Sequence, residues 1–223
     1  MKQTWHDLLF AHWALPPAEV NALIPSVLSL DIHDSHAWVG VIPFWMSGIR
    51  GRGIPALPGL SRFPELNVRT YVRYQGKPGV YFFSLDAANQ QAVWAARRFF
   101  HLPYFPASMS ARDDGGVIHY HCQRKGVAAK FRGSYHPIAP VRHTAKDSLE
   151  YFLTERYCLY TVHDADVYGC EIHHLPWPLQ DAHAAMEVNT MAAAAGIQLP
   201  ATSPLLHFAK RLEVLIWPLR PAS

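Results

Sequence analysis

Short β-prone runs separated by turn signals recur along most of this chain, and a fold built from so many strands has to hide their edges. Residues 28–32 and 37–45 flank His33-Asp34-Ser35-His36, a polar link that predicts a hairpin. Residues 66–75 and 80–86 flank Gly76-Lys77-Pro78-Gly79, where glycine accepts positive φ and proline presets a turn. A meander is expected over 107–112, 117–124 and 127–136, joined by Asp113-Asp114-Gly115-Gly116 and Lys125-Gly126. Residues 157–162 and 167–173 form a further hairpin about His163-Asp164-Ala165-Asp166, and 212–217 supply a closing strand. The economical solution is a mainly β (α+β) fold, a closed antiparallel β-barrel or strongly curled sheet with a few packed helices.

Helical signals are sparse. Pro16-Pro17 precedes a short helix over 18–23. Residues 87–101 form the longest candidate, capped by Asp86, with Val93, Ala96 and Phe100 on one face. Residues 147–156 carry Leu149, Phe152 and Leu153 on a face, and the Ala-rich stretch 182–195 is expected to be helical. The Gly- and Pro-rich segment 49–64 is the long loop, a natural mouth or lid element. No repeat or linker divides the chain, so residues 1–223 are expected to form one domain.

Composition excludes several classes. Half the residues are hydrophobic and only 17% are charged, too apolar for disorder and too poor in charge for a coiled coil. Twenty Lys and Arg against 17 Asp and Glu leave a formal charge of +3, too small an excess to indicate nucleic acid. Cys122, Cys158 and Cys170 form no C-x-x-C pair and predict neither a disulfide framework nor a thiolate zinc site. With no signal-peptide run and no apolar stretch long enough to span a bilayer, the expected location is the cytoplasm, away from membranes.

The most informative segment is Phe63-Pro64-Glu65-Leu66-Asn67-Val68-Arg69-Thr70-Tyr71. As a strand it places Glu65, Asn67, Arg69 and Tyr71 on one face and Leu66, Val68 and Thr70 on the other. Facing an interior, the polar set offers a guanidinium for a carboxylate, a proton-exchanging acid and an orienting amide. The same pattern also suits a solvated face, or a Glu65–Arg69 ion pair that only holds the strand in place. The 14 histidines show no metal-ligand spacing, and adjacent His173 and His174 point to opposite sides of a strand; neither a metal nor a cofactor is expected. Nucleophile-elbow, dinucleotide and phosphate-loop motifs are absent.

The runs Trp5-His6-Asp7-Leu8-Leu9-Phe10-Ala11-His12-Trp13, Glu65 to Val72, Gly79 to Asp86 and Leu102-Pro103-Tyr104 resemble the YqjF-like proteins, also called domain of unknown function 2071, over essentially the whole chain. That family is similar to the acetoacetate decarboxylase-like superfamily, which implies a mostly antiparallel β-barrel with a few helices. The superfamily pattern of a strand-opening glutamate, a glycine turn, a strand end, a helix triplet and a proline matches Glu65, Gly76 and Gly79, Leu85-Asp86, Ala96-Arg97-Arg98 and Pro103. Its two lysines are replaced by Tyr104 and Phe105, and its helix glutamate by Arg98. Neither aromatic side chain forms an imine, so the resemblance implies a protein that is not a Schiff-base decarboxylase. The expected site has Glu65 and Tyr104 as catalytic candidates and Arg69, Asn67 and Arg97 as substrate-binding ones, acting on a small carbonyl or carboxylate compound. A non-catalytic binding protein and a structural or interaction protein stay open, and a homo-oligomer is compatible with each.

Overall fold

The computed structural model describes residues 1–51 and 61–222. The core of the expected long loop, 52–60, lies outside the described residues. Among those described, the strands are β1 (Lys2–Leu15), β2 (Ser29–Leu30), β3 (Ala37–Arg50), β4 (Phe63–Tyr74), β5 (Lys77–Ala87), β6 (Tyr104–Asp114), β7 (Val117–Arg124), β8 (Lys130–Pro137), β9 (Cys158–His163), β10 (Asp166–His174), β11 (Gln180–Asn189), β12 (Leu205–Ile216) and β13 (Arg220–Pro221). Three helices interrupt them: α1 (Pro17–Asn21), α2 (Gln90–Phe100) and α3 (Leu149–Thr154).

The strands form one mainly antiparallel sheet in the order β13-β10-β9-β5-β6-β7-β8-β11-β12-β1-β3-β4-β2, with β4 also paired to β5 and β10 to β12. Two ladders are parallel, β5 with β6 and β5 with β9, which departs from an all-antiparallel arrangement. The first follows from chain order: α2 carries the chain from the end of β5 back to β6, as a parallel pair requires a crossover.

The expected meander and the β4–β5 and β9–β10 hairpins form. The β4–β5 reversal sits at Gln75 and Gly76, both at positive φ, one step earlier than the glycine pair suggests. The hairpin expected at 33–36 does not join its flanking runs. β3 is paired to β1 and to β4, while β2 pairs with Val72 and Arg73 of β4, beyond Thr70 where the β3 ladder ends.

Residues 182–195 are not helical. β11 occupies most of them, paired with β8, and only Ala193–Ala195 makes a 3₁₀ turn. Ala182, Ala184, Met186 and Val188 are covered more than His183, Ala185 and Glu187, a period-two alternation that tertiary pairing favours over alanine's helix propensity. Gly133 makes the pairing close: a Cβ there would lie 2.6 Å from the Ala185 carbonyl. In α2 the cap is Asn89 rather than Asp86, its Oδ1 accepting the Gln91 and Ala92 amides at 3.0 and 3.1 Å. His101, in the left-handed conformation, ends the helix.

Two main apolar clusters lie on opposite faces of β1, β3 and β4. Leu8 and Phe10 point to one, Leu9 and Ala11 to the other. On β4, Leu66 and Val68 join the second cluster, so Glu65, Asn67 and Arg69 are turned into the first.

Candidate functional site

Burial on both faces decides how the β4 alternation is used. The polar face does not meet solvent: Glu65, Asn67 and Arg69 are 3%, 5% and 9% exposed and line one cavity of about 230 Å³. Most of its wall is apolar, with Trp5, Phe44, Phe82, Leu85, Phe100 and Trp177 among the contributors. Helix α2 covers one side through Ala92, Ala95, Ala96 and Phe100.

Glu65 meets Tyr104, whose hydroxyl donates to Oε2 at 2.8 Å. Tyr104 opens β6 beside Leu85 in the parallel ladder, so the crossover through α2 carries it to the Glu65 strand. Burial raises the Glu65 carboxyl to about 8; the Tyr104 hydrogen bond opposes this and the nearby Asp86 charge reinforces it. Glu65 is therefore mainly protonated at neutral pH. Burial and the neighbouring Glu65 hold the Tyr104 phenol well above the usual tyrosine range, which makes it a hydrogen-bond donor and not a source of protons.

Arg69 has no carboxylate within salt-bridge distance among the described residues, so the alternative, a Glu65–Arg69 ion pair, does not form. Its guanidinium donates to the Leu153 carbonyl at 3.1 Å and to the Tyr71 hydroxyl at 3.4 Å, and lies 5.6 Å from the centre of the Phe10 ring. Its Nε and the Asn67 Oδ1 are buried without a hydrogen-bond partner. Tyr71 gives its proton to the Leu153 carbonyl at 2.7 Å, so it accepts from His12 Nε2 at 2.7 Å. Burial and the Arg69 charge keep that imidazole neutral. Gly40 makes room for it: a Cβ there would lie 2.9 Å from the His12 ring. Tyr71 itself thus supports Arg69 from behind.

Arg97 is placed elsewhere. It is exposed, its Nε donates to the Tyr104 carbonyl at 2.6 Å, and it lines a separate cleft with His101 and His163. From the same helix triplet only Ala96 reaches the cavity. Phe105 stacks under the Arg124 guanidinium at 4.0 Å, a packing role. Arg124 in turn makes a buried bidentate pair with Asp86, both contacts at 2.7 Å, which is why Asp86 does not cap α2.

Sequence reasoning did not pick out Gln3, Thr154 and Arg156 and weighed His174 only as a metal ligand; all four also line the cavity. Arg156 is paired to Asp31 at 2.6 Å, and Asp31 also accepts from Arg73 at 2.8 Å. These residues carry no local signature, because distant segments bring them to the wall. Among the described residues no group of three or more His, Cys, Asp or Glu side chains is placed to hold a metal ion. Within the same set no helix is long and apolar enough to cross a membrane.

Comparison with known proteins locates this geometry. The profile of the DUF2071 family, described as an uncharacterized conserved protein, matches residues 2–213. The uncharacterized protein YqjF of Bacillus subtilis (strain 168) is 52% identical over 224 residues, covering 100% of this chain and 93% of its own. The acetoacetate decarboxylase of Legionella pneumophila superposes with a TM-score of 0.68 at 11% identity, covering 100% of this chain and 87% of that one. The enduracididine biosynthesis enzyme MppR, solved in complex with pyruvate, gives 0.69 at 9% identity, covering 100% and 90%. At such identities the likeness concerns the fold alone: mainly β, of the acetoacetate decarboxylase kind.

Proposed function

The chain belongs to the DUF2071 family, and from that premise we propose that its cavity takes a small carbonyl or carboxylate compound, with Arg69 as anion anchor. One observation carries the reading. A guanidinium that is 9% exposed, lines a cavity and lacks a carboxylate partner is costly unless a ligand supplies the opposite charge. Asn67 Oδ1 is an acceptor suited to a hydroxyl or enol of that ligand. In this reading the β4–β5 and β10–β12 pairings close a barrel of β1, β3, β4, β5, β9, β10 and β12 around the cavity, and residues 1–223 act as one domain in the cytoplasm.

The chemistry proposed is proton transfer beside a carbonyl. Protonated Glu65 gives its proton to the enolate carbon or oxygen of the ligand, becomes a carboxylate held by the Tyr104 hydroxyl, and recovers a proton in the reverse step. An iminium route has no lysine: the six lysines are Lys2, Lys77, Lys125, Lys130, Lys146 and Lys210, and none lines the cavity, while the amino group of Met1, a lining residue, is held by the Ile216 carbonyl at 2.6 Å. The same observation favours a second reading, binding without turnover.

Native mass spectrometry of the purified protein tests for a retained organic ligand, and titration with a panel of keto acids and carboxylates follows. Arg69→Ala is expected to weaken anion binding about tenfold or more. Unchanged binding removes Arg69 as anchor. Deuterium uptake at the carbon next to the carbonyl in heavy water separates the two readings, since a binding protein leaves that carbon unlabelled.

A further inference from the structure

We infer that the ligand is a monocarboxylate with an alkyl or aryl body, a medium-chain or aryl acid, in place of a compact keto acid such as pyruvate or acetoacetate. This rests on the reading above, in which Arg69 anchors an anion in the cavity.

The first ground is charge. Arg156 on the cavity wall is already neutralised by Asp31, and the Asp86–Arg124 pair beside the Glu65 end is complete in itself. Arg69 is the charged side chain of the wall left without an opposite partner among the described residues. Among the described side chains the wall therefore leaves one positive charge unmatched, the Met1 ammonium being held by the Ile216 carbonyl at 2.6 Å, and Glu65, protonated at neutral pH, adds no negative charge of its own.

The second ground is the remainder of the surface. Arg69 and Glu65 stand four residues apart on one strand, about 13 Å between Cα atoms. A compact acid on Arg69 satisfies the guanidinium and leaves the apolar wall toward Glu65, where Phe44 and Leu85 stand opposite Glu65 and Asn67 in their ladders, facing unfilled space. Water there would lack the two to four polar partners an ordered buried water needs. Helix α2 turns three alanines to this region, so its face of the cavity is open in volume and apolar in character. An alkyl or aryl body covers that surface and gains from leaving water.

The test is calorimetric titration of the full chain at pH 7 with acetate, butanoate, hexanoate and octanoate, with phenylpyruvate against pyruvate, and with 1-octanol as an uncharged control. Affinity is expected to rise about fourfold per methylene until the cavity is full. Phenylpyruvate should exceed pyruvate, and octanoate should exceed 1-octanol, each by about tenfold or more. Ala96→Leu, which fills the cavity from α2, should weaken octanoate more than butanoate. A flat chain-length series whose members all still require Arg69 overturns the apolar body and keeps the anion anchor. If 1-octanol binds as tightly as octanoate and Arg69→Ala has no effect, the anchor falls and this inference with it. Octanoate binding that Ala96→Leu does not alter places the chain outside the cavity and overturns the inference.

Discussion

Two sets of buried ionisable side chains lie about the β4–β5 ladder, where Leu66 pairs with Asp86, and are treated in opposite ways. Asp86 and Arg124 are 0% and 5% exposed at their side chains and meet in a bidentate pair, with Phe105 closing over the guanidinium. Arg69 and Glu65 on β4 are nearly as buried, yet neither faces an opposite charge: one donates to a carbonyl, the other accepts from a neutral hydroxyl. The first set spends its charge internally and ties β5 to β7. The second keeps a cation and an acid free toward a cavity. Desolvation is similar in both, so the difference lies in what compensates it, and an uncompensated guanidinium is a feature a ligand can use.

The contrast can be broken by substitution. Arg124→Met leaves Asp86 buried without its partner and should cost about 3–5 kcal/mol in urea unfolding. A small loss would mean that the pair is not what ties β5 to β7.

Next in size is the acid. The free chain ionises Glu65 near its ordinary value of 4.5, while the folded chain holds the proton to about 8, so the folded state binds the extra proton between those limits. Its contribution to stability is therefore fully present below about 4.5, declines as pH rises toward about 8, and is flat above. Glu65→Gln should remove that decline, seen as a wild-type melting temperature that falls relative to the variant across this window. Anion affinity should also fall above about pH 8 in the wild type alone, because ionised Glu65 repels the ligand.

The smallest effect is expected at Arg69. Arg69→Met removes a buried charge that has no carboxylate to leave behind, and Tyr71 still donates to the Leu153 carbonyl, so stability should stay within about 1 kcal/mol of the wild type. A loss as large as that of Arg124→Met would show that Arg69 is structural and erase the distinction drawn above.

Much of the fold was legible in the chain. The β4–β5 hairpin, the meander and the β9–β10 hairpin follow from local alternation and turn chemistry. Where local signals misled, a distant partner had the larger energy. The alanines of β11 follow the β8 ladder, and Asp86 pairs with Arg124 while Asn89 takes the cap. Arg97 shares a motif with Ala96, but it lies about 100° further round the helix than Ala96, and of that triplet the wall takes Ala96 alone.

By itself the sequence determined that Glu65, Asn67 and Arg69 share a face of one strand, and that Tyr104 and Phe105 stand where the resembled family carries its lysines. Period two is a property of a few adjacent residues, and identity at a position needs no fold. Tertiary structure decided that this face is interior, that Tyr104 meets Glu65, and that Arg69 finds the Leu153 carbonyl 84 residues away instead of a carboxylate. Which charges become paired depends on which strands meet, and that is settled by burying both faces of β1, β3 and β4 together.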